Sequence, residues 1–294
     1  MPIPLPNLVD VDNHDDPRLA PFRNQKDQWL RSSKRGVGEH GTGALGDLPP
    51  DLFIAEGLGL LDRLIESDHA VHSGLVSRHR LDAARTSLAR LDPQVPVYVA
   101  PRELVEQIVG FDLHRGVLAC GQRVSSPSTA ELIARSGLLV ILENLANHDN
   151  VGSIFRSVRA LAGDATRPAV LLSPGCCDPL YRKSLRVSMG QALHVPFATL
   201  DDWPKGLARV ADAGFDLLAM TPAEGSRDIA EIEPPTRPAV ILGAEGPGLT
   251  DAALAEIDKL GGSAVRIAID PAADSLNVGV AAAIALHRLS KVPG

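Results

Sequence analysis

Three short segments in the second half of the chain place glycine, amide and charged side chains next to apolar strands. The first follows the apolar run that ends at Leu142 and includes Asn150, Gly152 and Arg156. Asn150 is predicted to cap a helix, Gly152 lets another backbone approach, and Arg156, about a turn and a half into that helix, can hold a phosphate. Considered by itself, a capped helix with a surface arginine explains this segment better.

The second segment is a glycine-rich turn around a carboxylate. The apolar residues 240–242 lead into Gly243, Glu245 and Gly248. Such glycines allow backbone amides to face a ligand, but no Gly-Lys-Ser or Gly-Lys-Thr follows, which excludes a phosphate-binding P-loop. Glu245 is suited to accept a hydrogen bond from a ligand or to orient an arginine. Its alternative role is that of a solvated loop acid.

The third segment opens a helix of small apolar residues. Either Ser275 or Asn277 is positioned to cap this helix, and helix N-termini bind polar ligand groups. The small residues that begin at Gly279 require close packing against a neighbouring element. In isolation the segment indicates a buried, capped helix.

In order, spacing and content, the three segments together resemble the three sequence motifs of the SpoU (TrmH-type) RNA 2′-O-ribose methyltransferases of the SPOUT superfamily. The matching residues are Asn150, Gly152 and Arg156 for the first motif, Gly243, Glu245, Gly246 and Gly248 for the second, and Ser275, Leu276 and Asn277 for the third. The resemblance covers about residues 137–290, and residues 182–190 and 195–196 are similar to the family's intermediate segment.

The resemblance implies a cofactor, S-adenosyl-L-methionine, and no metal. It implies cofactor contacts at Gly243, Gly248, Ile267 and Leu276, and catalytic or positioning roles for Asn150, Arg156, Glu245, Ser275 and Asn277. Of these, Arg156 is expected to engage the reacting ribose and its phosphate. The sequence departs from the family where Ile267, Ala268 and Ile269 stand in place of the usual Ile-Pro-Met, and around Pro271, which replaces a usual glycine.

The elements that must position these residues alternate between strand and helix from residue 137 onward. Apolar runs predict strands at 138–142, 169–173, 194–198, 215–220, 239–242 and 264–269, with helices at 151–161, 179–189, 204–212, 251–260 and 276–289. Such alternation predicts an α/β fold with a mostly parallel sheet and helices on both faces, and ligands at the carboxyl ends of its strands. The resemblance adds a trefoil knot, which general topology rules do not predict, and a homodimer that meets at the helix after Asn277.

A smaller α/β unit is predicted at residues 51–121. Its pattern indicates strands at 52–55, 70–76, 95–100 and 116–120, with helices at 57–67, 81–91 and 102–109. It is similar to the L30e-like substrate-binding domain that many such enzymes carry. RNA contacts are predicted at the ends of its elements, at Arg78, Arg80 and Arg115.

The remaining segments are predicted to connect or extend these two domains. Residues 122–136 have the composition of a linker, with one short helical stretch, before the methyltransferase domain at 137–294. Residues 1–50 form a partly flexible extension with a helical piece at 21–31. There Gly41, Gly43 and Gly46 satisfy GxGxxG, but no strand precedes and no helix follows them, so a flexible loop is favoured over a dinucleotide site.

Composition and charge limit the class of protein further. The chain has 294 residues, of which 45% are hydrophobic, and its formal net charge is −7. This charge argues against a wholly basic nucleic-acid binder, so RNA binding must depend on local groups. Apolar stretches shorter than the roughly 20 residues of a bilayer span, and the acidic start, predict a cytoplasmic protein without membrane segments. The three cysteines are expected to be reduced and structural.

The sequence therefore predicts an enzyme that methylates a ribose 2′-hydroxyl of RNA, with ribosomal RNA favoured over transfer RNA because of the attached domain. Two alternatives remain open. One is a non-catalytic RNA-binding protein that keeps the fold, and the other is a nicotinamide dehydrogenase, whose only support is the glycine loop before Asp47.

Overall fold

The computed structural model divides the chain into two units. The first contains residues 1–125 and 180–193, and the second contains residues 126–179 and 194–294. The residues described are 7–23, 30, 48–111, 113, 115–163 and 166–290. The GxGxxG glycines and most of the helix expected at 21–31 lie outside these ranges.

A mixed five-stranded sheet forms the centre of the first unit. Numbered along the chain, its strands are β1 (Leu8–Asp10), β2 (Leu52–Glu56), β3 (Ala70–Ser77), β4 (Val97–Ala100) and β5 (Val117–Gln122). The strand order is β1-β4-β3-β5-β2, in which β5 runs antiparallel to β3 and β2 while β3, β4 and β1 are parallel. Four of these strands match the predicted ones, and β1 was not expected.

Helices with one apolar stripe complete the first unit. They are α1 (Leu58–Ile65), α2 (Leu81–Leu88), α3 (Arg102–Val109) and α6 (Arg182–Val187). Leu60, Leu61 and Leu64 of α1 are buried, as expected for residues three and four apart on one helix face. The helix α6 lies within residues 180–193, which the structure groups with the first unit although the sequence places them inside the 137–294 domain.

A seven-stranded parallel sheet forms the centre of the second unit. Its strands are β6 (Leu138–Leu142), β7 (Pro168–Leu172), β8 (Phe197–Thr199), β9 (Asp216–Met220), β10 (Arg227–Asp228), β11 (Pro238–Leu242) and β12 (Ser263–Arg266). The order is β10-β12-β9-β11-β6-β7-β8, and every pairing is parallel. The predicted parallel α/β fold is confirmed, with β10 as an unexpected short edge strand.

Helices cover both faces of this sheet. They are α4 (Thr129–Arg135), α5 (His148–Leu161), α7 (Leu207–Asp212), α8 (Asp251–Lys259) and α9 (Val278–Leu289). Leu139 and Ile141 join a buried cluster with residues of α4, α7 and α8. The alternate residue Val140 points to the opposite face, where α5 packs along α9 and both contact the sheet. Burial on both faces explains why β6, β7 and β11 are continuous apolar runs.

The connection between the two units is not a uniform linker. Within the predicted linker at 122–136, α4 begins with a capping box in which Ser128 and Glu131 bind each other's backbone amides. Leu132 and Ile133 of this helix belong to the core of the second unit. Among the residues that the structure describes, no helix is long and apolar enough to cross a bilayer.

Candidate active site

A buried carboxylate fixes the carboxyl edge of the parallel sheet. Glu143 directly follows β6 and is 1% exposed. Its Oε1 accepts hydrogen bonds from Trp203 Nε1 at 2.6 Å and Thr250 Oγ1 at 2.7 Å, and its Oε2 accepts one from the Thr250 backbone amide at 2.8 Å. Burying an ionised carboxylate is costly unless such donors replace water. The three bonds therefore hold Thr250, the N-cap of α8, against the end of β6.

The turn between β11 and Thr250 folds back on itself. The Gly248 amide donates to the Ala244 carbonyl at 2.9 Å. A Cβ placed on Gly243 would lie 2.1 Å from the carbonyl carbon of Gly248, so no larger residue fits there. Gly246 and Gly248 have φ of 87° and 72°, the left-handed region that glycine adopts without cost. This geometry agrees with the glycine-rich turn predicted around Glu245.

The side-chain amide of Asn277 connects the three sequence motifs. Its Nδ2 donates to Asn150 Oδ1 at 2.9 Å and to Glu245 Oε1 at 2.5 Å. Its Oδ1 accepts from the Gly279 and Val280 amides at 2.9 and 3.3 Å, which makes Asn277 the N-cap of α9. Asn277, the N-cap of α9, thus joins Glu245 of the loop after β11 to Asn150 of α5, which is 127 positions away.

The first motif is built differently from the sequence expectation. Asn150 does not cap its helix. Asn147 does, by accepting the Asp149 amide at 2.9 Å, and α5 begins three residues before the predicted start. Because the helix starts earlier, Asn150 lies in its first turn, where it is 6% exposed and its side chain faces Asn277.

A pocket of about 390 Å³ opens beside this amide, at the carboxyl ends of β9, β11 and β12. Its wall contains seven residues predicted from the sequence: Gly243, Glu245, Gly248, Ile267, Ser275, Leu276 and Asn277. It also contains residues that the sequence reasoning missed, among them Met220, Thr221, Pro222 and Arg266. Met220, Thr221 and Pro222 end or follow a predicted strand, so the rule that ligands sit at the carboxyl ends of parallel strands was the signal for them. Arg266 was missed because β12 ends there, three residues before the predicted end.

Arg156 lies apart from this pocket wall. It is eight residues beyond the start of α5, or about 12 Å along the axis, rather than a turn and a half. The buried face of α5 carries Val151, Ile154 and Phe155, and Arg156 is on the exposed face. Within the described part of the chain its guanidinium makes no hydrogen bond or ion pair. Its expected role toward the ribose stays a prediction.

Of the three cysteines, Cys120 is buried and Cys176 and Cys177 are partly buried. Cys176 Sγ donates to the Leu142 carbonyl at 3.2 Å, and desolvation raises the pKa of its thiol. Burial likewise raises the pKa of Cys120. All three cysteines are free. Thiols of raised pKa are poor nucleophiles at neutral pH, which agrees with the structural role predicted for them. Among the described residues, no group of three or more His, Cys, Asp or Glu side chains could hold a metal ion.

In the first unit, the three arginines predicted to contact RNA lie at one end of the sheet. Arg78 and Arg80 belong to a 3-10 turn directly after β3, and Arg115 precedes β5. Because β3 and β5 are antiparallel, with Val76 opposite Val117, these two ends coincide. Arg78 pairs with Asp10 at 2.5 Å, and Arg115 Nη1 donates to the Glu56 carbonyl at 3.5 Å. The arrangement places their charges together, and RNA contact remains a prediction.

The fold and the pocket define an α/β protein that takes a ligand at the carboxyl ends of its parallel strands. The sequence model of the SpoU rRNA Methylase family matches residues 137–287. An uncharacterized tRNA/rRNA methyltransferase of Mycobacterium tuberculosis is 39% identical over 290 residues, which cover 97% of this chain and 92% of that protein. The chain therefore belongs to the SpoU rRNA methylase family of RNA methyltransferases.

Solved structures share the fold along almost the whole chain. An rRNA methyltransferase from Sinorhizobium meliloti with bound AdoMet superposes with a TM-score of 0.72 at 20% identity, covering 96% of this chain and 97% of that one. The SpoU methyltransferase AviRb from Streptomyces viridochromogenes, in complex with AdoMet, gives 0.70 at 20% identity and covers 93% and 97%. An RNA 2′-O ribose methyltransferase gives 0.68 at 20% identity and covers 96% and 98%.

Glu143→Gln tests how the edge of the sheet is held. An amide has one acceptor oxygen, whereas the carboxylate accepts three hydrogen bonds, so at least one donor would face an NH2 group. Hydrogen bonds to charged groups contribute about 1.5–3 kcal/mol each, and we expect a decrease of about that size in the free energy of unfolding, measured by urea denaturation.

Glu224→Gln is the matched control, because Glu224 is exposed and has no hydrogen bond or ion pair within the described ranges. It should change stability by less than about 0.5 kcal/mol. Equal stability of the two variants would show that the Glu143 contacts do not hold the edge.

Proposed function

We propose that the protein transfers a methyl group from S-adenosylmethionine to a ribose 2′-hydroxyl of RNA, in the cytoplasm. The observation that carries the proposal is the Asn277 side chain, which joins residues of all three motifs at the rim of the pocket. A protein that kept only the fold would have no need of this polar junction. The non-catalytic alternative is therefore disfavoured.

The pocket fits the proposed cofactor in size and chemistry. Its volume of about 390 Å³ is within the roughly 300–1,000 Å³ typical of ligand sites. Apolar side chains such as Leu242, Val265 and Ile267 form part of the wall, and the glycine turn offers backbone amides in place of side chains. The apolar side chains suit the ring of an adenosine, and the backbone amides suit the polar groups of a nucleoside and an amino acid. Gly243, Gly248, Ile267 and Leu276 would hold the cofactor.

The chain's own residues would align the reactants rather than activate a nucleophile of their own. Bound in the pocket, S-adenosylmethionine would supply an electrophilic methyl group attached to a sulfonium leaving group, and the proton released by the ribose hydroxyl would pass to water. Asn277 and Glu245, joined at 2.5 Å, would orient substrate groups at the rim. A guanidinium offers hydrogen-bond donors and no acceptor, so we assign Arg156 to hold the phosphate and stabilise charge on the attacking oxygen.

The first unit supports ribosomal RNA as the substrate. An RNA-binding unit attached to the catalytic one favours a large structured RNA, and one neighbour of the same fold is named an rRNA methyltransferase. We infer that residues 51–121 form an L30e-like domain that binds RNA through the arginines at the end of β3. Transfer RNA is the alternative substrate. Mapping 2′-O-methylations in total RNA with and without the protein distinguishes the two.

The exposed face of α9 supports the homodimer, and we retain the trefoil knot as part of the proposed fold. Val280 and Ile284 are spaced four residues apart, on one side of α9, and are 48% and 38% exposed. Isolated exposed apolar residues are common, but an aligned stripe of large ones is typical of a contact surface.

Arg156→Ala should lower methyl transfer by about 100-fold or more, as removal of a transition-state donor does. The affinity for S-adenosylmethionine should stay within a few fold, because Arg156 does not line the described pocket wall. Single-turnover rates with radiolabelled cofactor measure the first quantity, and calorimetry measures the second.

Arg209→Ala serves as control, since Arg209 is an exposed helical arginine whose side chain makes no hydrogen bond or ion pair in the described part. It should retain full activity. If Arg156→Ala abolished cofactor affinity while RNA still bound normally, the arginine would serve the pocket and our assignment would be wrong.

Arg80→Gln combined with Arg115→Gln should weaken RNA binding and reduce its salt dependence, by about 0.7–0.9 in slope for each phosphate that is no longer neutralised. Cofactor affinity should not change. Arg90→Gln is the control within the same unit, since Arg90 is committed to ion pairs with Asp62 and Glu66. Anisotropy titrations of a labelled RNA at several salt concentrations provide the measurement.

Point variants are preferable here to removal of residues 1–125. Such a truncation would uncover Leu185 and Leu193, which are buried within the first unit through the 180–193 segment. If the double glutamine variant and Arg90→Gln bound RNA equally well at every salt concentration, the RNA-binding role of this end of the sheet would be rejected.

Ile284→Glu should convert the dimer into monomer, because a charge in the centre of an apolar interface is left without a partner. Sedimentation velocity should give twice the 31.1 kDa chain mass for the wild type and the single mass for the variant. Ala255→Glu, on the exposed side of α8, should remain dimeric. A monomeric wild type would contradict the proposed interface.

A further inference from the structure

A second cavity lies at the opposite end of the parallel sheet from the cofactor pocket. It has a volume of about 460 Å³ and lies where the chain enters β6, β7 and β8. Its lining consists of Arg135, Ser136, Arg159, Arg167, Pro168, His194, Val195 and Pro196. Strands of five residues, such as β6 and β7, span about 17 Å, so this cavity is separate from the pocket at their carboxyl ends.

The lining of the cavity is strongly cationic. Three arginines and a histidine contribute to it, and no acidic residue of the described chain does. Neither Arg135 nor Arg167 forms an ion pair within the ranges described. Glu131 lies one turn before Arg135; its pKa is lowered mainly by a hydrogen bond from the Ser128 side chain, with Arg135 the smallest cause.

Backbone carbonyls near the cavity already accept hydrogen bonds from Arg237, an arginine outside its lining. Arg237 Nη2 donates to the carbonyls of Ile133 and Ser136, both at 2.9 Å, and its other terminal nitrogen donates to that of Ala213. Its guanidinium also stacks on Phe215, 4.0 Å from the ring centre. Because Arg237 donates these hydrogen bonds, the arginines that line the cavity are not needed to satisfy these carbonyls.

Helix dipoles account for only part of this charge. Arg135 ends α4 and Arg159 lies in the last turn of α5, where cations are favourable. The C-terminus of α4 carries about −0.5 charge, which offsets about half of the charge of Arg135. Arg167 belongs to no helix, and its φ of 44° is uncommon for a residue with a side chain. The presence of these arginines around one cavity therefore indicates that the cavity binds an anion.

We propose that this cavity binds a phosphate group, supplied by the backbone of the RNA substrate at a nucleotide distant from the methylated ribose. Arginine is suited to this ligand, because its planar guanidinium makes paired hydrogen bonds to phosphate oxygens. That the phosphate comes from RNA rests on the proposed function. That the cavity binds phosphate does not, because free inorganic phosphate could supply the same ligand. The second unit would then hold RNA at both ends of its sheet.

The test uses the full chain with Arg135→Ala and Arg167→Ala combined, and Arg209→Ala as a matched control outside the cavity. For RNA, we expect the double variant to bind a labelled ribosomal RNA fragment about tenfold more weakly at low salt, with a salt slope smaller by about 1.4. For inorganic phosphate, the wild type should show saturable binding by calorimetry that is absent from the double variant. Arg209→Ala should match the wild type in both measurements.

The outcomes separate the site from the proposed function. Loss of phosphate binding without any change in RNA affinity would keep the phosphate site and reject RNA as its source. If the double variant and Arg209→Ala behaved alike with both probes, the site would be rejected. S-adenosylmethionine affinity is measured in parallel: its absence in the wild type would overturn the proposed function, while the two phosphate measurements would still decide the present inference.

Discussion

The carboxylate of Glu143 is the contact on which the working edge of the parallel sheet depends. A parallel sheet collects the carboxyl ends of its strands at one edge, and the chain there must leave the sheet through polar loops. Glu143 brings two such loops to the end of β6, through Trp203 and Thr250. The buried charge demands its three donors, since removal of one would leave a desolvated carboxylate oxygen underpaired. Because Glu143 needs these donors, the chain can fold only with Thr250 and the glycine turn before it in this position.

Asn277 likewise joins separate segments of the chain at the rim of the pocket, but it does so with a neutral group. An amide has one end that donates and one that accepts, and both are used. The oxygen starts α9, while the nitrogen holds Asn150 and Glu245. Aspartate could cap the helix equally well but could not donate to either partner. The chemistry of the cap residue is therefore set by the two motifs it connects, and not by the helix alone.

Periodicity was sufficient to predict β6, β7 and β11, because these strands are buried on both faces and therefore form continuous apolar runs. The bounds of β6 agree at both ends. Short edge strands such as β1 and β10, at three and two residues, carry too little pattern to detect. The start of α5 was misplaced because Asn147 and Asn150 are both good caps, and only tertiary contact with Asn277 decides between them. Glu143 was overlooked because burial of a carboxylate depends on Trp203 and Thr250, which are distant in sequence.

The distribution of charge explains how an acidic chain can hold RNA. A net charge of −7 gives no general attraction to a polyanion, so affinity must come from short-range contacts with clustered arginines. The structure groups arginines in two places: beyond β3 in the first unit, where Arg78 pairs with Asp10, and at the amino ends of β6, β7 and β8 in the second. Acidic residues elsewhere keep long-range attraction weak, and screening by salt further limits attraction to distances of about 10 Å. Under the proposed function, recognition would therefore depend on phosphate contacts at these clusters and not on the net charge of the chain.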